Sequence, residues 1–87
     1  MPPVDRAAFD GKAIEPIFLG TSLKDCSWAE AVLEAAEVEY TVEIEPLETG
    51  PFLSDKNGAV FYVLAGQARY CRRRLHDAGL SPGLIQP

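Results

Sequence analysis

Four arginines, Arg69, Arg72, Arg73 and Arg74, crowd into one short stretch with Tyr70 and the chain's single histidine, His76. Guanidinium groups hold carboxylates and phosphates through forked, charge-assisted hydrogen bonds. The run therefore reads in two ways. Either it grips a phosphate or an acidic peptide, or it complements the negative end of a helix, with Arg73 and Asp77 paired one turn apart. Arg69 and Arg73, with Tyr70 nearby, point away from the apolar stripe of that helix and are candidate contact residues. His76 would have to carry any proton transfer or metal binding alone, and its place near the helix end suits stabilisation of that end. No metal-ligand set and no nucleophile has a readable spacing, and Gly50, Gly58 and Gly66 are too isolated for a phosphate-binding loop. No catalytic residue, metal or cofactor is expected, although a small enzyme using His76 or an acid stays open as a third reading.

The cysteines Cys26 and Cys71 form no CxxC pair, and a secreted domain this small would usually carry more bridges. Two reduced thiols in the cytoplasm are expected. Cys26 lies near the start of a helix, where the dipole can lower a thiol pKa; it is either reactive or partly buried and inert. Cys71 falls on a packing stripe and belongs to the core.

Charge is unevenly spread. Of the 87 residues, 13 are acidic and 8 are Lys or Arg, for a net charge of −5. Eight acids and no base lie from Asp25 to Glu48, whereas five bases and one acid lie from Lys56 to Ala78. One reading is a two-sided surface that recognises a charged partner; the other is local pairing between the acids and the arginines. Net acidity argues against nucleic acid. No apolar run approaches a membrane span, and MPPVDRAAFDGK lacks the pattern of a signal peptide.

These residues must be positioned by a small fold. Residues 1–13 read as a flexible arm. Ile14–Gly20 is a strand with Pro16 near its start, which places it at an edge. Ser22 with Asp25, or Ser27 with Glu30, caps a first helix. Trp28, Val32, Ala35 and Ala36 form its apolar face, with Glu30, Glu34 and Glu37 opposite. Trp28 and Tyr40 are expected in the core. Tyr40, Val42 and Ile44 alternate with Thr41, Glu43 and Glu45, the mark of a half-buried strand that Pro46 ends. The connection over residues 46–58 carries Phe52 and Leu53 and is the first choice for a contact surface. AVFYVL, Ala59–Leu64, lacks polar alternation and is the natural central strand, with both faces or both edges covered. A second helix opens near Gly66, carries the stripe Ala68, Cys71, Leu75 and Ala78, and ends at Gly79 with Leu80 folded back on Leu75. Residues 81–87 are a tail that either adds a short edge strand at Leu84–Ile85 or stays loose.

The order strand, helix, strand, strand, helix predicts one α+β domain over residues 14–80. It has a ferredoxin-like βαββα core, an antiparallel sheet in the order 1-3-2, both helices on one face and the other face solvated. The outer edge of the first strand is left open for the tail or a second subunit. The stretch Ile17–Leu80 resembles the putative signal-transducing protein family, small bacterial domains of unknown function. The resemblance rests on the opening strand followed by Thr21-Ser22, a helix ending Leu33-Glu34-Ala35-Ala36, a strand from Tyr40, a variable loop, the strand Ala59–Leu64 and a closing amphipathic helix. Where that family usually has a glycine after the first helix, this chain has Glu37. The resemblance implies a GlnB-like or ferredoxin-like fold and no catalytic residues. The expected function is a non-catalytic regulatory or protein-interaction domain, paired as a homodimer or with another protein through its sheet edge, its solvated sheet face or the 46–58 loop. The alternative is a small-ligand sensor with its site between subunits, or between the 46–58 loop and the arginine helix.

Overall fold

The computed structural model describes Phe9 and residues 11–46 and 57–86. Its elements are β1 (Ile14–Gly20), α1 (Leu23–Ala35), β2 (Tyr40–Pro46), β3 (Asn57–Leu64) and α2 (Ala65–Asp77), then a 3-10 turn at Ser81–Gly83. The fold is α+β, with two helices and a three-stranded antiparallel sheet in the order β1-β3-β2. The apolar strand is central, as its composition requires: Phe61 pairs with Phe18 on one side and Val42 on the other.

The pleat sorts the side chains. Ala59, Phe61 and Val63 of β3 join one buried cluster with Ala29, Val32 and Leu33 of α1 and Ala68, Cys71 and Leu75 of α2. Both helices thus bury their apolar stripes on the same face of the sheet. Phe61 stands between Phe18, edge-on with centroids 5.8 Å apart, and Tyr40, stacked at 5.9 Å. That aromatic row ties the three strands together beneath the helices. The register of β1 slips between Pro16 and Phe18, where a residue without a backbone N–H cannot hold the ladder. The slip places both Ile17 and Phe18 in the core.

The opposite face departs from expectation. Val60 and Thr41, which alternate with Phe61 and Val42, are only 7% and 4% exposed, whereas Glu43, Tyr62 and Leu64 on the same face are partly exposed and Glu45 is exposed, so this face is less open than the fully solvated one expected. Phe9 is 2% exposed and also lies outside the helix-side cluster. The burial of Val60 as well as Ala59, Phe61 and Val63 agrees with the unbroken apolar sequence of Ala59–Leu64.

Ser22 caps α1 by accepting from the Asp25 amide at 3.1 Å, and Ser27 lies inside the helix. The buried face of α1 is Ala29, Val32 and Leu33, with Ala36 packed against it, one position round from the face the sequence suggests. Trp28 is therefore not a core residue: it is 51% exposed, and its indole N–H donates to the Ala78 carbonyl at 3.0 Å. Ala29 lets the helix approach closely, while an indole needs a partner for its N–H and finds one at the rim. Tyr40 is fully buried, as expected.

Both helices stop in the same way. At α2, Gly79 has φ +87°; its amide donates to the His76 carbonyl, and Leu80 donates to Leu75, each at 3.0 Å. At α1, Glu37 has φ +57°; its amide donates to Glu34 at 3.0 Å, and Val38 donates to Leu33 at 3.2 Å. Each is a Schellman cap with an apolar residue folded back onto the core. The tail does add to the sheet edge, by a single antiparallel bridge between Leu84 and Phe18 and a 2.9 Å bond from the Ile85 amide to the Ile17 carbonyl.

Candidate functional site

α2 begins where β3 ends, with no loop between them. Leu64 offers no side-chain cap; instead the Ala65 amide donates to the Ala13 carbonyl at 2.9 Å. The helix is thus fixed at its first residue to the strand that leads into it and to the chain beside β1. Its inner stripe is Ala68, Cys71 and Leu75. One flank faces the tail across a groove of about 540 Å³ lined by Arg69, Arg72, Arg73 and His76 on the helix, Leu84 and Gln86 on the tail, Glu15 on β1, and Ala65 and Ala68 at its floor.

The arginines divide the work. Arg72 is structural: its Nε donates to the Ile85 carbonyl at 2.7 Å, and its Nη2 donates to the Pro16 carbonyl at 3.0 Å and Glu15 Oε2 at 3.2 Å. One guanidinium therefore fastens tail, β1 and α2 together, a role only its planar fork can fill. Arg69 and Arg73 are exposed and, among the described residues, make no hydrogen bond or ion pair. The expected Arg73–Asp77 pair does not form; Asp77 Oδ1 lies 3.6 Å from His76 Nδ1 instead. Arg74 and His76 lie in the last turn of α2, where they suit the negative helix end.

The structure therefore brings Arg69 and Arg73 together and adds His76 one turn further on, but it separates Tyr70. That ring is half-exposed on the other flank of α2, in a second groove with Glu37 and Glu39. Phe52, Leu53 and nearly all of the loop that carries them lie outside the described residues. The arginines of α2 do not pair with the acids of Asp25–Glu45: Arg72 engages Glu15, and Arg69, Arg73 and Arg74 form no ion pair among the described residues.

The thiols are held protonated. Burial, then Glu30 and Asp25, push Cys26 up, against the lowering expected at a helix start. Burial pushes Cys71 up to about 11, with Arg72 opposing. The Tyr40 hydroxyl is likewise raised by burial and by its 3.0 Å bond to Glu34 Oε2. Among the described residues no group of His, Cys, Asp or Glu could hold a metal ion, and no helix is long and apolar enough to cross a membrane.

The role of Arg72 was the feature hardest to anticipate. The signal available was its position beside Cys71 on the buried stripe, which places it at the rim of the core, where a long side chain can reach back over the edge strand.

No protein-family model matches the chain, and no curated protein is detectably similar to it.

Proposed function

We propose that this domain is a non-catalytic regulatory or interaction module whose contact surface is the arginine-lined flank of α2. What carries the reading is the pair Arg69 and Arg73, exposed in one groove and without partners among the described residues. Guanidinium groups recognise anions and do not exchange protons at ordinary pH, so they serve binding rather than acid–base chemistry. Glu15, the carboxylate in the same groove, is already engaged by Arg72.

The tail bridge supports a ferredoxin-like plan, with a rudimentary fourth strand beside β1 and the order tail-β1-β3-β2. The proposed setting is signalling in the cytoplasm, in line with the resemblance to putative signal-transducing proteins, with a second copy or another protein as partner. Sedimentation equilibrium tests the second copy, and a monomer at every accessible concentration removes it.

The small-ligand sensor is the second reading. A groove of about 540 Å³ falls within the volume range of small-molecule sites. A thermal-shift screen against nucleotides, amino acids and divalent metals separates the two. The interaction module predicts an unchanged Tm, and stabilisation by several degrees at saturation supports the sensor.

A further inference from the structure

We infer that the groove between α2 and the tail docks an extended acidic segment of a partner protein, an inference that rests on the interaction-module reading above. Arg69 and Arg73 stand one helical turn apart, about 6 Å along the axis at ~1.5 Å per residue. Alternate side chains on one side of an extended chain repeat at about 6.5–7 Å. Two carboxylates at positions i and i+2 of an extended segment therefore meet the two guanidinium groups in register. Ala65, Ala68 and Leu84 line the same groove and offer apolar surface to the segment's short side chains and backbone.

The local charge balance favours an anion. Glu15 is engaged by Arg72 at 3.2 Å, and Asp77 forms no ion pair with Arg73. Arg69 and Arg73 are left uncompensated. The net charge of −5 repels an acidic partner at long range. That repulsion is screened over about 8–10 Å at physiological ionic strength, whereas guanidinium and carboxylate in contact keep their attraction.

The shape selects a segment over a small anion. Arg69 and Arg73 are themselves exposed, so a lone phosphate or dicarboxylate would keep much of its surface in water, while a chain of several residues covers the groove. Nucleic acid fits less well. Tyr70, the exposed aromatic that could stack a base, lies off this groove, and a polyanion meets the net negative charge along its whole length.

The test uses the full chain and a fluorescein-labelled peptide of alternating Glu and Ser, with a Lys-Ser counterpart, followed by anisotropy at low and at physiological salt. The Glu peptide is expected to bind and the Lys peptide not. Arg73→Glu should weaken binding by about tenfold or more, and Arg69→Glu similarly, since each removes a charge-assisted contact. Arg74→Glu makes the same change in net charge on the same helix outside the groove, and should leave the affinity within about twofold. Arg73→Gln, which removes the charge but keeps a polar, helix-compatible side chain, repeats the loss if the first variant folds poorly.

Equal weakening by the Arg73 and Arg74 variants overturns the inference, because only net charge would then matter. So does the absence of binding at low salt, or tighter binding of oligothymidylate than of the peptide. Displacement of the peptide by equimolar inorganic phosphate also overturns it, since the site would then read isolated oxyanions. A silent peptide alongside an unmoved thermal-shift screen removes this inference and leaves the interaction module standing. Stabilisation by a small ligand removes the module reading itself.

Discussion

Glu37 closes α1 in the same left-handed conformation in which Gly79 closes α2, with φ of +57° and +87°. Only one of them is built for it. An L-residue with a Cβ loses roughly 1–2 kcal/mol in that region, whereas glycine does not. Glu37 is exposed, so its side chain brings little packing in return. Glu37→Gly is expected to stabilise the domain by about 1 kcal/mol and Gly79→Ala to destabilise it by about as much. Urea unfolding midpoints at constant m-value check both, and an unstable Glu37→Gly would mean that the carboxylate matters more than the backbone.

Arg72 holds three acceptors on two segments. Its replacement by Ala strands the Pro16 and Ile85 carbonyls and the Glu15 carboxylate, a loss of about 2 kcal/mol for charge-assisted bonds at the edge of the core. Lysine cannot serve several acceptors in a plane, so Arg72→Lys should recover less than half of that. Amide exchange at Ile85, which donates to Ile17 at 2.9 Å, should quicken in both variants. Unchanged protection there would disconnect Arg72 from the tail.

The tail approaches β1 so closely that only glycine fits at position 83. A Cβ built there overlaps the Phe18 ring and comes within 2.8 Å of the Leu19 carbonyl oxygen. Gly83→Ala should therefore cost about 1–3 kcal/mol and lift the tail away, as over-packing does elsewhere. Loss of the Leu84–Phe18 cross-peak in an NOE spectrum would report the lift, and an intact cross-peak with unchanged stability would refute it.

Stability should fall in alkali. The Cys71 thiol ionises near 9 in an unfolded chain and is pushed up to about 11 in the fold. Its contribution is fully present below pH 9 and is lost as the pH climbs toward 11, because the unfolded chain sheds a proton that the native one keeps. Two pH units of such a mismatch amount to about 2–3 kcal/mol. Tyr40, also raised, adds to the loss above its ordinary value of 10. Unfolding free energies measured from pH 8 to 11 should slope downward in the parent and less steeply in Cys71→Ala. Identical slopes would place the titration elsewhere.

What was legible in the sequence was whatever short-range pattern enforces. The alternation in Tyr40–Glu45, the unbroken apolar run of Ala59–Leu64, the Ser22–Asp25 cap and the Gly79–Leu80 ending each depend on neighbours a few residues away. The sheet order followed from them, because only a fully apolar strand tolerates the middle. Arg69 and Arg73 could be placed toward water from the stripe beside them. Tertiary partners were not legible. Trp28 sits on an apolar-looking face but turns to a carbonyl fifty residues later in the chain. Arg72 resembles its three neighbours in composition and differs only because β1 and the tail pass within its reach.

The middle strand is also the last strand to appear in the chain. Ile14 pairs with Leu64 and Tyr40 with Val63, while β1 and β2 share no ladder of their own. During synthesis β1 must wait, with its backbone donors unpaired, until Asn57–Leu64 has emerged. The hairpin of β2 and β3 closes a shorter loop and can form first. Because α2 follows β3 directly, the arginine flank and the keystone of the sheet are completed in a single stroke. A nascent or truncated chain lacking that segment would therefore expose a bare strand edge and lack the arginine flank.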